Sequence, residues 1–133
     1  MKIIDGKDSV LGRLASYVAK EALKGEDFVI LNCKEIIISG NSKFTEEKFR
    51  ERRSKVGSGQ QGPKHSRLSH LIVKRAIRGM LPTHRHGRGK QTLKKIKCYA
   101  GVPKEFEEKE KIKLGKNFQG KYIKIGELKK QND

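Results

Sequence analysis

The chain contains no Trp, and its three Tyr and five Phe make up only 6% of 133 residues. Proteins that hold single-stranded nucleic acid by stacking successive bases need a platform of such rings, so this shortage argues against that mode. Cysteine is equally scarce. Cys33 and Cys98 stand 65 positions apart, in neither a CxxC nor a metal-finger spacing. They read as small apolar residues of a reducing compartment, with a disulfide between them left open. No apolar run approaches the ~20 residues needed to cross a bilayer. The sequence opens directly into Lys2-Ile3-Ile4-Asp5, without a basic-then-apolar leader. A soluble, cytoplasmic protein with no membrane partner is the expectation.

The most telling shortage is of acid in the middle of the chain. Residues 41–104 hold 18 Lys and Arg against three acids, Glu46, Glu47 and Glu51, whereas residues 1–40 balance six against six and residues 105–133 carry eight against six. Nearly all of the net charge of +17 therefore sits in one block, which also holds eight of the nine arginines, Arg50 to Arg88. Guanidinium presents a planar fork of donors that grips phosphate with two parallel hydrogen bonds. One surface is built for a polyanion and the rest is built to fold.

The length suits one domain, 1–133, with a compact core. Ile3 and Ile4 begin a strand that Gly6 ends. The apolar positions Leu11, Leu14, Ala15, Val18, Ala19, Ala22 and Leu23 then predict a helix closed by Gly25. Phe28-Val29-Ile30-Leu31 and Ile36-Ile37-Ile38 are unalternating runs of strand length, as in a mostly parallel sheet covered by helices on both faces. The fold class is α/β. A polar surface helix is expected over Lys43 to Arg53, with Arg50, Arg52 and Arg53 outward and Asn41 or Ser42 as cap.

The glycine-rich stretch Lys55 to Lys64 is expected to order only against a partner. A second amphipathic helix, about Ser69 to Leu81, places Leu68, Leu71, Ile72, Ala76, Met80 and Leu81 on one side, with Lys74, Arg75 and Arg78 on the other. Residues 83–90 read as a basic loop punctuated by glycine, Lys90 to Lys97 as a short helix, the segment from Lys104 as helical at its start, and Tyr122 to Ile125 as a half-exposed strand.

Little in the chain supports catalysis. Five residues separate Gly6 from Gly12, and Arg13-Leu14 follows Gly12, which matches neither phosphate-loop fingerprint; Gly12 reads instead as a site of close helix packing, and Arg13 as a surface or RNA-facing side chain. His84 and His86 lie on a cationic loop without a carboxylate to orient them, which disfavours a metal site or a general base. No Ser or Cys has a base at a recognisable spacing. No catalytic residue, metal site, cofactor or small-molecule substrate is nominated. What remains is a basic helix between two pliable arms. The nominated RNA-binding residues are Arg50, Arg52, Arg53, Lys55, Lys64, His65, Arg67, Lys74, Arg75, Arg78, Arg85, His86, Arg88, Lys90, Lys94 and Lys95. Such a set gains affinity by releasing counterions from phosphates.

Several blocks occur in a telling order: Gly12-Arg13-Leu14-Ala15-Ser16 with Val18-Ala19-Lys20, Glu35-Ile36-Ile37-Ile38-Ser39-Gly40, Gly62-Pro63, Arg75-Ala76-Ile77-Arg78-Gly79-Met80-Leu81-Pro82 and Tyr99-Ala100-Gly101-Val102-Pro103. From Met1 to about Phe106 the chain resembles the ribosomal protein L13 (uL13) family of the large subunit, in its archaeal and eukaryotic form. Residues 107–133 stand as a lysine- and glutamate-rich extension. The resemblance implies a three-layer α/β/α core around a four-stranded, mostly parallel sheet. It also implies a non-enzymatic structural role in early assembly of the large (50S) subunit and in translation, with 23S-type rRNA and neighbouring large-subunit proteins as partners, in the cytoplasmic ribosome. Two other classes stay open on the residues alone: a free RNA-binding translational regulator and a small nucleotide-dependent enzyme.

Overall fold

The computed structural model describes residues 1–55, 65–116 and 118–128. Strand β1 (Lys2–Asp5) leads through a turn into helix α1 (Leu11–Ala22), and β2 (Phe28–Leu31) returns parallel to β1 with Ile4 opposite Ile30. Gly6 is required where β1 ends, because a Cβ there would lie 2.9 Å or less from the Ile36 side chain and 2.9 Å from the Leu31 carbonyl. Gly12, by contrast, is exposed and a Cβ on it would meet open space, so the close-packing expectation for that residue is wrong. Gly25, at φ +103°, closes α1 in the left-handed region that glycine tolerates best.

After β2, Asn32 adopts φ 55° and a single 3-10 turn, Cys33–Glu35, redirects the chain. The next strand, β3 (Ile37–Ser39), therefore leaves the central sheet. The next helices are α2 (Ser42–Ser54), α3 (Ser69–Gly79) and α4 (Gly87–Lys94). They are followed by β4 (Ile96–Cys98), a 3-10 turn at Lys104–Phe106, β5 (Ile112–Lys113), β6 (Tyr122–Lys124) and the one-turn α5 (Ile125–Leu128). The four-stranded sheet runs β4-β2-β1-β5, with every pairing parallel. β3 pairs antiparallel with β6, Ile38 opposite Ile123.

All four side chains of β2 are buried, and their alternation divides the core. Ile4, Phe28 and Ile30 point to the face covered by α1 and α3, where they meet Leu14, Val18, Val73 and Ile77. Ile3, Val29 and Leu31 point to the opposite face and are covered by Phe106, with Tyr99 and Val102 beside it. The result is a three-layer α/β/α arrangement whose second helical layer is thin. Residues beyond Phe106 join the fold: β5 adds the sheet edge, and Ile123, Ile125 and Leu128 are buried.

Three local expectations are corrected. Residues 83–90 are not one loop, because α4 begins at Gly87. The helix expected over Lys90 to Lys97 ends at Lys94, since Ile96 is needed opposite Phe28 as the start of a strand. Helix α3 is rotated from the expected side: Ser69, Val73 and Ile77 are buried and Ile72, Ala76 and Leu81 pack against the core as expected, whereas Leu68, Leu71 and Met80 are 43%, 40% and 45% exposed. Val73 and Ile77, one turn apart, face α1 and the sheet, and Leu71 lies on the arc away from them.

Candidate nucleic-acid interface

Helix α2 is a surface helix because its sequence offers almost nothing to bury. The Asn41 side chain accepts from the Lys43 N–H at 3.0 Å and caps it, and Thr45 is its one buried residue. Arg50 and Arg52 are exposed, and Arg53 folds back so that its Nε donates to the Phe49 carbonyl at 3.4 Å. Lys55, just past the helix, pairs with Glu51 at 3.4 Å, an exposed contact of small energetic worth.

On α3, residues three, four and seven positions after Leu71 are Lys74, Arg75 and Arg78. Helical periodicity puts all four on one arc, facing away from the buried Val73 and Ile77. This arc forms one wall of a groove of about 550 Å³ whose other walls come from α1, α2 and α4. Arg52, Lys74, Arg75 and Arg78 supply its charge, while Leu11, Phe49, Leu71, Ile72, Ala76 and Leu93 supply hydrocarbon. Among the described residues, no Asp or Glu lines it. His65 also lines it; partial burial first, then the charges of Arg75 and Arg52, hold the imidazole below its ordinary pKa of 6.5. A neutral imidazole offers one donor and one acceptor.

The groove thus gathers five nominated residues: Arg52, His65, Lys74, Arg75 and Arg78. Arg50, Arg53 and Lys55 lie elsewhere on or beside α2, and Arg67 is exposed ahead of α3. Arg85, His86, Arg88, Lys90, Lys94 and Lys95 are exposed on and around α4 and do not line it. Arg88 also has a task inside the protein, donating from Nη2 to the Leu23 carbonyl at 2.8 Å. Gly89 is buried, and a Cβ there would overlap the Pro82 and Thr83 carbonyls, so glycine brings that segment against α4. Lys64, with the expected flexible stretch from residue 56 onward, lies outside the described residues.

Sequence reasoning passed over the apolar part of the groove. Leu71 carried a usable signal, since its spacing to Lys74, Arg75 and Arg78 places it among them. Leu11 and Leu93 carried none, because only the tertiary fold brings them there. Among the described residues, no cluster of three or more His, Cys, Asp or Glu is placed to hold a metal, and no helix is long and apolar enough to cross a membrane.

The family profile described as "Ribosomal protein L13" matches residues 1–105. Proteins named "Large ribosomal subunit protein uL13" are similar along most of the chain. The one from Methanocaldococcus jannaschii is 39% identical over 133 residues, covering 98% of this chain and 96% of that protein. The one from Methanosphaera stadtmanae is 42% identical over 115 residues, 84% and 80% of the two chains. The one from Thermoplasma volcanium is 38% identical over 125 residues, 94% and 90%.

Proposed function

The chain belongs to the ribosomal protein L13 family, and from that premise we propose that it is a structural constituent of the large (50S) ribosomal subunit. It binds 23S-type rRNA and supports early assembly of the subunit, and so translation, in the cytoplasmic ribosome beside neighbouring large-subunit proteins. The observation that carries the RNA-binding part is the cationic groove between α2 and α3, lined by no acid among the described residues and flanked by the exposed cations of α4. Arg52, Lys74 and Arg78 hold phosphate oxygens, and the exposed cations of α4, such as Lys90 and Lys94, extend the contact. No step of this role is catalytic: the protein acts by fixing the geometry of folded RNA.

Two measurements test it. Affinity for purified large-subunit rRNA falls steeply with salt, and about six neutralised phosphates give a log–log slope of roughly −5 on the duplex coefficient. A nearly flat salt response would sink the phosphate contacts. In a fractionated extract the tagged protein travels with large subunits and polysomes. Recovery only in the light fractions would identify a free RNA-binding regulator instead.

A further inference from the structure

Phosphate contact alone does not account for the groove. Phosphate needs cations and N–H donors and gains nothing from hydrocarbon, yet Leu71 is 40% exposed within the cationic arc, with Phe49 and Leu93 in the same lining. We propose that the groove receives a single nucleobase, unstacked from large-subunit rRNA, while Arg52, Lys74 and Arg78 hold the phosphates on either side of it. This rests on the RNA-binding reading above and says what part of the RNA the site takes.

Three features select this occupant. Among the described residues the lining has four cations and no acid, which favours a polyanion over an apolar or basic protein segment. Its volume, about 550 Å³, falls within the ~300–1,000 Å³ of sites that enclose small ligands. A base joins apolar faces to a polar edge, so Leu71 and Phe49 cover a face while His65, in the same lining, meets the hydrogen-bonding edge. Proteins read RNA sequence chiefly at such splayed-out bases, because the major groove of an RNA helix is too narrow for side chains. One ring, Phe49, serves one base, so the scarcity of aromatics that argues against a stacking platform is no obstacle here.

The test uses the full chain bound to purified 23S-type rRNA, mapped in parallel by hydroxyl radicals, which report the backbone, and by dimethyl sulfate with a carbodiimide, which report bases. The expected result is a backbone footprint containing an unpaired nucleotide whose base loses reactivity. Leu71→Asn, which removes hydrocarbon without adding charge to the cationic arc, restores that base's reactivity and leaves the backbone footprint, whereas Leu71→Met preserves both protections. Leu71 lies on the exposed arc, so circular dichroism of both variants should match the parent chain. A backbone footprint with no base protection sensitive to Leu71→Asn overturns the proposal and leaves the RNA-binding reading intact. Absence of any footprint overturns both. The same probing of assembled large subunits adds one outcome: release of a neighbouring subunit protein by Leu71→Asn, with base reactivities unchanged, assigns the groove to protein and also overturns the proposal.

Discussion

Arg88 and Leu23 are 65 positions apart in sequence, and the guanidinium of the first donates to the carbonyl of the second at 2.8 Å. Leu23 caps the C-terminus of α1, where the last carbonyls lack intrahelical donors and the helix dipole presents its negative end. A side chain in the densest positive block of the chain therefore joins α4 to the end of α1. Its remaining N–H groups stay available to a phosphate, because guanidinium carries five.

Arg88→Ala should accordingly cost folding stability, by about 1 kcal/mol after allowing for its exposure. Arg85→Ala, three residues earlier, should change it by no more than ~0.5 kcal/mol. Urea unfolding of the isolated protein separates them. Equal midpoints for the two variants would mean that the Leu23 contact contributes nothing.

The orientation of α3 gives a sharper contrast. Ile77 is fully buried against α1 and the sheet, whereas Leu71 is 40% exposed on the opposite arc. Ile77→Ala should destabilise by ~2–5 kcal/mol, and Leu71→Ala by less than ~0.5 kcal/mol. A thermal or denaturant scan that reversed this order would mean that the helix is turned by half a revolution.

The N-terminal half was legible because each of its signals is local. Leu14, Val18 and Ala22 recur at helical spacing, and the unbroken run Phe28 to Leu31 has to be covered on both faces, as it is. The misreadings arose where burial depends on a distant partner. Ile36-Ile37-Ile38 looks like another central strand, but the places beside β1 and β2 are taken by β4 and β5, so β3 pairs with β6 instead. On α3, spacing put Leu68, Leu71, Ile72, Ala76, Met80 and Leu81 on one side; Ile72, Ala76 and Leu81 do meet the core, but the packing against α1 and the sheet centres on Val73 and Ile77 and leaves Leu68, Leu71 and Met80 exposed. The cations of the site were visible as composition. Its hydrocarbon was not, since Leu11, Phe49, Leu71 and Leu93 meet only after four helices are in place.

His65 should couple RNA binding to protons. Its pKa lies below 6.5 in the free protein partly because Arg75 and Arg52 face it. Phosphates drawn to those guanidinium groups offset their charge, which raises the pKa of His65 in the complex above its value in the free protein, so binding takes up a fraction of a proton. A site that holds its proton more tightly when bound gives stronger binding as pH falls below about 6.5. Titration of the histidine ring resonances with and without RNA, together with affinities on both sides of that pH, checks the sign. His65→Gln should flatten the dependence, and an unchanged slope in that variant would place the proton elsewhere.

Cys33 should be inert while the protein is folded. It is buried, its thiol donates to the Ile30 carbonyl at 3.8 Å, and Cys98 carries a second free thiol beside it. Hydrogen bonding with the Cys98 side chain, and then burial, push the Cys33 thiol well above its ordinary pKa of 9.0, against a smaller opposite pull from the backbone of Tyr99. The thiolate is the reactive species, so a thiol held protonated reacts slowly even with a small reagent. In a time course with iodoacetamide at neutral pH, read by mass spectrometry, the half-buried Cys98 should be modified first and Cys33 only as fast as the chain opens. Equal rates at the two cysteines in the folded protein would mean that Cys33 is neither shielded nor held in its protonated form.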